Sequence, residues 1–164
     1  MPDIKYKYRS EEQLYFLKRS HYHLDVPVIY NMEYRHNRII RFLLDTGAYV
    51  TIINRETSLF LKLDTLPVLI EDFPLTGLSG SIDASLIEVP GVVIGDRTLK
   101  SVKVAIPHED TKYCILGLNV LEHFKYLLDS EHNKIYFTDN PNYKIPDELK
   151  CAEVLSYSSK LRFN

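Results

Sequence analysis

The run Leu43-Leu44-Asp45-Thr46-Gly47 carries a carboxylate from an apolar stretch straight into a hydroxyl and a glycine. That order places Asp45 at a strand end on a tight turn. Gly47 admits backbone angles that a Cβ would hinder, and the Thr46 hydroxyl can tie the turn down. A carboxylate held in a partly desolvated place can give or take a proton from a reacting group. The same tripeptide also serves as a plain Asx turn closing a strand, and taken alone it favours that reading. The surrounding residues must decide.

The elements that would position Asp45 are mostly strands. Leu-Asp-Val-Pro-Val-Ile-Tyr from Leu24 and Arg-Ile-Ile-Arg-Phe-Leu-Leu up to Leu44 are β-rich runs on either side of a polar turn, a hairpin whose second strand delivers Asp45. Val50 to Ile53 favour another strand, and Asn54 is placed to cap a short helix through Glu56-Thr-Ser-Leu-Phe-Leu-Lys-Leu63. Pro67, Pro74, Gly77 and Gly80 divide the next stretch into extended pieces. Residues 81–107 read as strands separated by turns at Pro90-Gly91 and Gly95-Asp96. Leu118 to Asp129 reads as a helix, with Asn119 and Glu122 at capping-box spacing and Leu121, Phe124 and Leu128 on one face. Lys134 to Phe137 is a further strand. Short strands at this spacing predict a mostly β barrel or sandwich closed by one helix.

Two further segments join the Asp45 run. Leu75-Thr-Gly-Leu-Ser-Gly-Ser-Ile82 is a glycine-flanked hairpin tip, and Tyr113-Cys-Ile-Leu-Gly-Leu-Asn119 leads into the expected helix. Together, in this order, they resemble the retropepsin-like aspartic proteases over about Leu24 to Phe137. The resemblance implies a closed β-barrel of the acid protease fold, one lobe per chain, with one short helix on its C-terminal side. It implies that Asp45 is the catalytic aspartate, Thr46 bonds across paired active-site loops, and Gly47 and Ala48 complete the loop. Gly77, Leu78, Ser79 and Gly80 would form a flap over substrate. Ile115, Leu116 and Gly117 would pack beneath the active-site loop. No aromatic residue sits inside Thr76 to Ile82, unlike the pepsin-type flap.

Chemistry of this kind needs two carboxylates a few ångströms apart, so that one keeps a proton while the other accepts one from an attacking water. The nearest imitation of a second motif is Leu127-Leu128-Asp129-Ser130, but Glu131 stands where the glycine belongs. Asp129 is therefore read as a surface or turn residue. With one usable aspartate per chain, catalysis requires a homodimer in which two copies of Asp45 meet at a two-fold axis. An extended peptide or protein is the implied substrate, and neither cofactor nor metal is implied. The alternative is a binding or regulatory module that keeps the fold without useful proteolysis.

Other chemistries fare worse. A formal net charge of −2 offers no basic stripe for nucleic acid, and the twelve tyrosines fit packing better than a base-stacking platform. Gly91-Val-Val-Ile-Gly95 lacks the lysine of a phosphate loop and reads as a hairpin. Ser79, Ser81 and Ser85 lack a nucleophile elbow, and sequence pairs neither His108 nor His123 with them. Cys114 and Cys151 are read as buried or tolerated thiols, and His21 and His23 as exposed strand residues. No apolar run reaches signal-peptide or transmembrane length, so a soluble, cytoplasmic protein is expected. The domain reading is an extension over 1–20 with a possible short helix after Ser10, a protease unit over 21–140, and a tail over 141–164 that could join an interface.

Overall fold

Strand β1 (Lys18–Ser20) runs into β2 (His23–Met32), which pairs antiparallel with β3 (His36–Leu44) from Asp25↔Leu43 to Met32↔His36. This is the hairpin expected from the β-branched and aromatic runs, and β3 ends at the residue before Asp45. The computed structural model describes residues 18–20, 23–32, 36–95 and 97–156, with side chains from 40 to 154. The helix expected after Ser10, most of the 1–20 extension and the side chains of His21 and His23 lie outside the described residues.

After the Asp45 turn come the two-residue strand β4 (Thr51–Ile52) and helix α1 (Arg55–Phe60). Asn54 caps α1 as expected, its Oδ1 accepting from the Thr57 amide at 2.9 Å. The helix stops earlier than the apolar run through Leu63 suggested, because a 3₁₀ turn over Leu63–Thr65 follows left-handed Lys62 (φ 58°).

The next three strands are long. Strand β5 (Val68–Gly77) pairs with β6 (Gly80–Ile94), and β6 pairs in unbroken register with β7 (Arg97–Pro107) from Ala84↔Pro107 to Ile94↔Arg97. The turn expected at Pro90-Gly91 is therefore not there. Both residues lie inside β6, and the missing Pro90 amide falls opposite Ser101, which takes φ 57°. Pro74 is tolerated in β5 because, among the described residues, that strand ends the sheet path and pairs with β6 alone.

Strand β8 (Ile115–Leu116) leads into α2 (Leu118–Leu121), only four residues long. Phe124 to Asp129, expected to continue this helix, is instead strand β9 (Phe124–Asp129), paired with β10 (Lys134–Asp139). The apolar residues fit both periods, and pairing decides between them. Phe124 is buried and edge-on to Phe137 with ring centroids 5.2 Å apart, whereas Leu128, on the supposed helical face, is exposed. Asp129 sits at the end of this hairpin and accepts from the His132 amide and ring, in keeping with a turn residue.

The hydrogen-bonded path is β1-β2-β3-β8-β4-β7-β6-β5, with β2 also pairing β6. Strand β11 (Glu153–Ser156) adds to β7 at Arg97–Lys100, on the edge that meets β4 at Val104–Ala105. One apolar cluster centres on Phe42, Leu61, Val89, Leu99, Leu116 and Leu121. A second joins Val50, Phe73, Ala84 and Leu86 to Ile145 and Leu149, so the first part of 141–164 is built into the core of its own chain. No helix among the described residues is long and apolar enough to cross a membrane.

Candidate active site

Strand β3 delivers Asp45, and β8 fixes where it stops. Leu43 and Leu44 pair in parallel with Ile115 and Leu116, and the Asp45 amide donates to Leu116 O at 3.2 Å. The chain then turns back, with the Ala48 amide donating to Asp45 O at 3.3 Å. The Gly47 amide donates to Asp45 Oδ1 at 2.8 Å. The Asx-turn geometry that the sequence offered as an alternative is thus present, but it occupies one carboxylate oxygen and leaves Oδ2 for other partners. Among the described residues no other side chain or amide bonds to this carboxylate. Gly47 is favoured by close packing and not by a left-handed backbone. A Cβ there would lie 3.1 Å from Asp45 Oδ1, while positive φ values among the glycines occur at Gly80 and Gly95.

The segment after β8 braces this loop from behind. The amides at the start of α2, which a helix leaves without internal partners, are satisfied by the loop: Leu118 N donates to Ala48 O at 2.7 Å and Asn119 N to Tyr49 O at 3.1 Å. The two backbones come so close that a Cβ on Gly117 would lie 2.5 Å from the Val50 carbonyl carbon and oxygen. Thr51 and Asn119 complete the brace. The Thr51 amide and hydroxyl both donate to Asn119 Oδ1, at 2.7 and 2.8 Å, and the same hydroxyl accepts from Gly117 N at 3.1 Å. Sequence had read Asn119 as a helix cap and Thr51 as a strand residue. Both are buried, and neither role predicted their bond.

Above the loop stands the β5–β6 hairpin. Gly77 pairs with Gly80 across the two-residue tip Leu78-Ser79, and Gly80 adopts φ 119°, a conformation few other residues reach. Leu78 is fully exposed. Tyr49 links loop to hairpin: its Oη donates to Pro74 O at 2.9 Å, and its ring lies 6.0 Å from that of Phe73.

Between hairpin and loop runs a groove of about 630 Å³. Asp45, Gly47, Ala48 and the tip residues Gly77 to Gly80 all line it, and so does Ile115, which sequence had placed beneath the loop. Leu116 and Gly117 lie behind it, and Thr46 is exposed off its lining. Of the remaining walls, Leu75, Thr76 and Ile82 belong to the hairpin run quoted from sequence, whereas Ile52, Pro107 and the stretch Thr111-Lys112-Tyr113, where the Lys112 ammonium lies 5.1 Å from the Tyr113 ring centroid, were given no site role there. Their nearness to the two motifs was the available signal. Asn54 holds this wall as well as capping α1, through Nδ2 donating to Lys112 O at 3.1 Å.

Away from the groove, two pairs that sequence left unmatched come together. Ser85 Oγ is 3.0 Å from His108 Nε2, and Cys151 Sγ is 3.2 Å from His123 Nε2. Cys114 is buried and Cys151 half-buried, both as free thiols held above the ordinary thiol pKa mainly by burial.

The family described as "gag-polyprotein putative aspartyl protease" matches residues 35–123, more than half of the chain. No curated protein matches the sequence. Among solved structures, a retropepsin-like aspartic protease from Rickettsia conorii is 25% identical with a TM-score of 0.56, over 74% of this chain and 95% of that one. The EIAV protease in complex with the inhibitor HBY-793 is 21% identical over 63% of this chain and 86% of its own, at a TM-score of 0.46. The retroviral protease-like domain of Ddi1 from Leishmania major is 17% identical over 73% and 97%, at 0.48. The mostly β fold, the ordered motifs and the matched span agree, and the chain belongs to the retropepsin-like aspartic protease family.

Proposed function

We propose that the protein is an aspartic endopeptidase that cleaves extended peptides as a homodimer, its two Asp45 carboxylates meeting at a two-fold axis. The observation that carries this reading is the groove itself: among the described residues lining it, Asp45 is the one carboxylate. Two such groups close together cannot both ionise, so one would polarise the scissile carbonyl as an acid while the other takes a proton from water. This shared titration is a known property of aspartic protease dyads and is taken over from them. In this scheme Gly47 holds Asp45 through its amide and Thr46, exposed in the single chain, bonds across the dimer. Gly77 to Gly80 close as a flap whose free backbone groups pair with the substrate strand. Ile115, Leu116 and Gly117 support the loop. The β2–β6 pairing joins the two ends of the path β2-β3-β8-β4-β7-β6, and we infer that the sheet closes there as a barrel. The protease unit over 21–140 then draws Ile145 and Leu149 into its core.

Asp45→Asn tests this proposal. Incubation with a mixed peptide library should show cleavage by the natural chain and a loss of about a thousandfold or more in the variant, with the fold intact by circular dichroism. Undiminished cleavage by the variant sinks the mechanism. The single carboxylate per groove also favours a second reading, a binding module of the same fold, because one chain alone cannot form the dyad. Sedimentation equilibrium separates the two: a strict monomer at high concentration that cuts nothing in the library supports the binding module.

A further inference from the structure

A second cavity, of about 490 Å³, lies on the opposite face of β6 from the Asp45 groove. Along that strand Ala84 and Leu86 point into the apolar cluster beneath the hairpin, while Ser85 and Ile87 alternate to the other side and line this cavity. Its walls come from α1, the following 3₁₀ turn, and β5 to β7: Leu59, Leu63, Val68, Ile87 and Ile106 are apolar, and Glu71, Ser85 and His108 converge at one side. Its size is in the range of small-molecule sites, and its lining is mixed, with seven apolar residues beside six polar or charged ones.

The polar group is not a nucleophile and its base. A serine–histidine–acid triad needs the acid on the imidazole nitrogen opposite the serine. Here Ser85 Oγ at 3.0 Å and Glu71 Oε1 at 4.0 Å face the same nitrogen, His108 Nε2. Glu71 is solvent-facing, its side chain 70% exposed, and its hydrogen-bond partner among the described residues is the Ser85 hydroxyl at 3.5 Å, so a ligand ammonium would replace water on this carboxylate. If Ser85 donates its one proton to His108, none is left for Glu71; if Nε2 donates to Ser85, the hydroxyl reaches Glu71 only at 3.5 Å. Asp64 adds a second carboxylate to the lining and Arg55 one guanidinium, which donates through Nη1 to His108 O at 3.3 Å, so the charged groups of the cavity are two carboxylates against one fixed cation.

We propose that this cavity binds an amphipathic amine, its alkyl chain against Leu63, Val68, Ile87 and Ile106 and its ammonium donating to Glu71. The shared chemistry is an alkyl chain ending in a primary ammonium, whether a free amine or the lysine side chain of a peptide. Such an occupant would also sit where β5 shifts register twice, between Val68 and Phe73, at the root of the hairpin that roofs the Asp45 groove.

The test reads binding and is independent of cleavage. The full chain, labelled on its Leu, Val and Ile methyl groups, is titrated by NMR with n-hexylamine, n-hexanol, n-hexanoate and N-acetyl-lysine methylamide. Saturable shifts at Leu63, Val68, Ile87 and Ile106 are expected with hexylamine, about fivefold tighter than with hexanol, and Glu71→Gln should remove that difference. Glu71 is exposed on an edge strand, so this variant is expected to fold. Tighter binding of the lysine derivative than of hexylamine assigns the site to a peptide side chain, and the reverse order to a free amine. Absence of saturable shifts with both amines overturns the proposal, as does equal binding of hexanol or hexanoate, or a Glu71→Gln chain that binds hexylamine as tightly as before.

Discussion

Asn119 Oδ1 accepts both the amide and the hydroxyl of Thr51, residues 68 positions apart in sequence. Asn119 Nδ2 donates in turn to Lys103 O at 2.9 Å, and the Thr51 hydroxyl accepts from Gly117 N. One buried amide therefore ties together β4, β7 and the turn before α2, the three segments behind the Asp45 loop. Asn119→Ala would leave the Thr51 amide and hydroxyl and the Lys103 carbonyl to find other partners in a buried place. The expected cost is about 3 kcal/mol, the sum of a lost buried bond and stranded polar groups. Urea unfolding at one fixed protein concentration measures it, since association would otherwise shift the midpoint. A change below about 0.5 kcal/mol would show that the network does not brace the loop.

Gly117 and Gly77 should respond oppositely to alanine. At Gly117 the added Cβ would fall 2.5 Å from backbone atoms of Val50, and backbone cannot swing aside as a long side chain can. Gly117→Ala should cost about 3 kcal/mol or more, or give insoluble protein. At Gly77 nothing lies within 4 Å, and its φ is outside the left-handed region, so Gly77→Ala should change stability by less than about 0.5 kcal/mol. Thermal melts of the two variants side by side decide it. Equal losses would mean that close approach is not what requires Gly117.

What sequence could and could not show follows from how local each signal is. The Asp45 turn and the Asn54 cap involve bonds two and three residues apart, so residue type alone exposes them. The Thr51–Asn119 bond is set by which strands the whole sheet brings together, and no local pattern carries it. Phe124 to Asp129 read as helix because a short apolar run fits both periods until its pairing partner is known. Pro90-Gly91 read as a turn because punctuation residues do not announce that a neighbouring strand can absorb them, as β7 does at Ser101. Ser85 and His108 come within reach only once Pro90-Gly91 is taken as strand and not as a turn. With the turn at Gly95-Asp96 taken as a hairpin, the register that pairs Ser85 with Ile106 brings His108 alongside on the same face.

Tyr49 should act as a tether between the Asp45 loop and the hairpin. Its hydroxyl donates to Pro74 O on β5, and the ring rests near Phe73. Tyr49→Phe keeps the ring and removes one bond worth about 1 kcal/mol, enough to speed local opening about fivefold. Hydrogen exchange at the amides of Thr76 to Gly80 should quicken by that factor while exchange in β6 beyond Val89 stays unchanged. Unaltered exchange at the hairpin tip would count against a tether.

His123 should make the chain less stable in mild acid. Burial, reinforced by the positive charge of Lys150, holds its imidazole below the ordinary value of about 6.5. Its Nε2 faces Cys151 Sγ, its ring lies 4.4 Å from that of Tyr143, and no partner reaches Nδ1 among the described residues. Folding therefore favours the neutral ring, and the unfolded chain binds the proton more readily. The stabilisation is complete above about pH 6.5 and is lost as pH falls toward the depressed folded value. Urea midpoints taken between pH 7.5 and 5.5 should decline for the natural chain, and decline less for His123→Phe, which keeps a ring beside Tyr143 and cannot be protonated. Because carboxylates contribute equally to both proteins, the difference between the two slopes isolates His123. Parallel slopes would show that the buried imidazole is not coupled to folding.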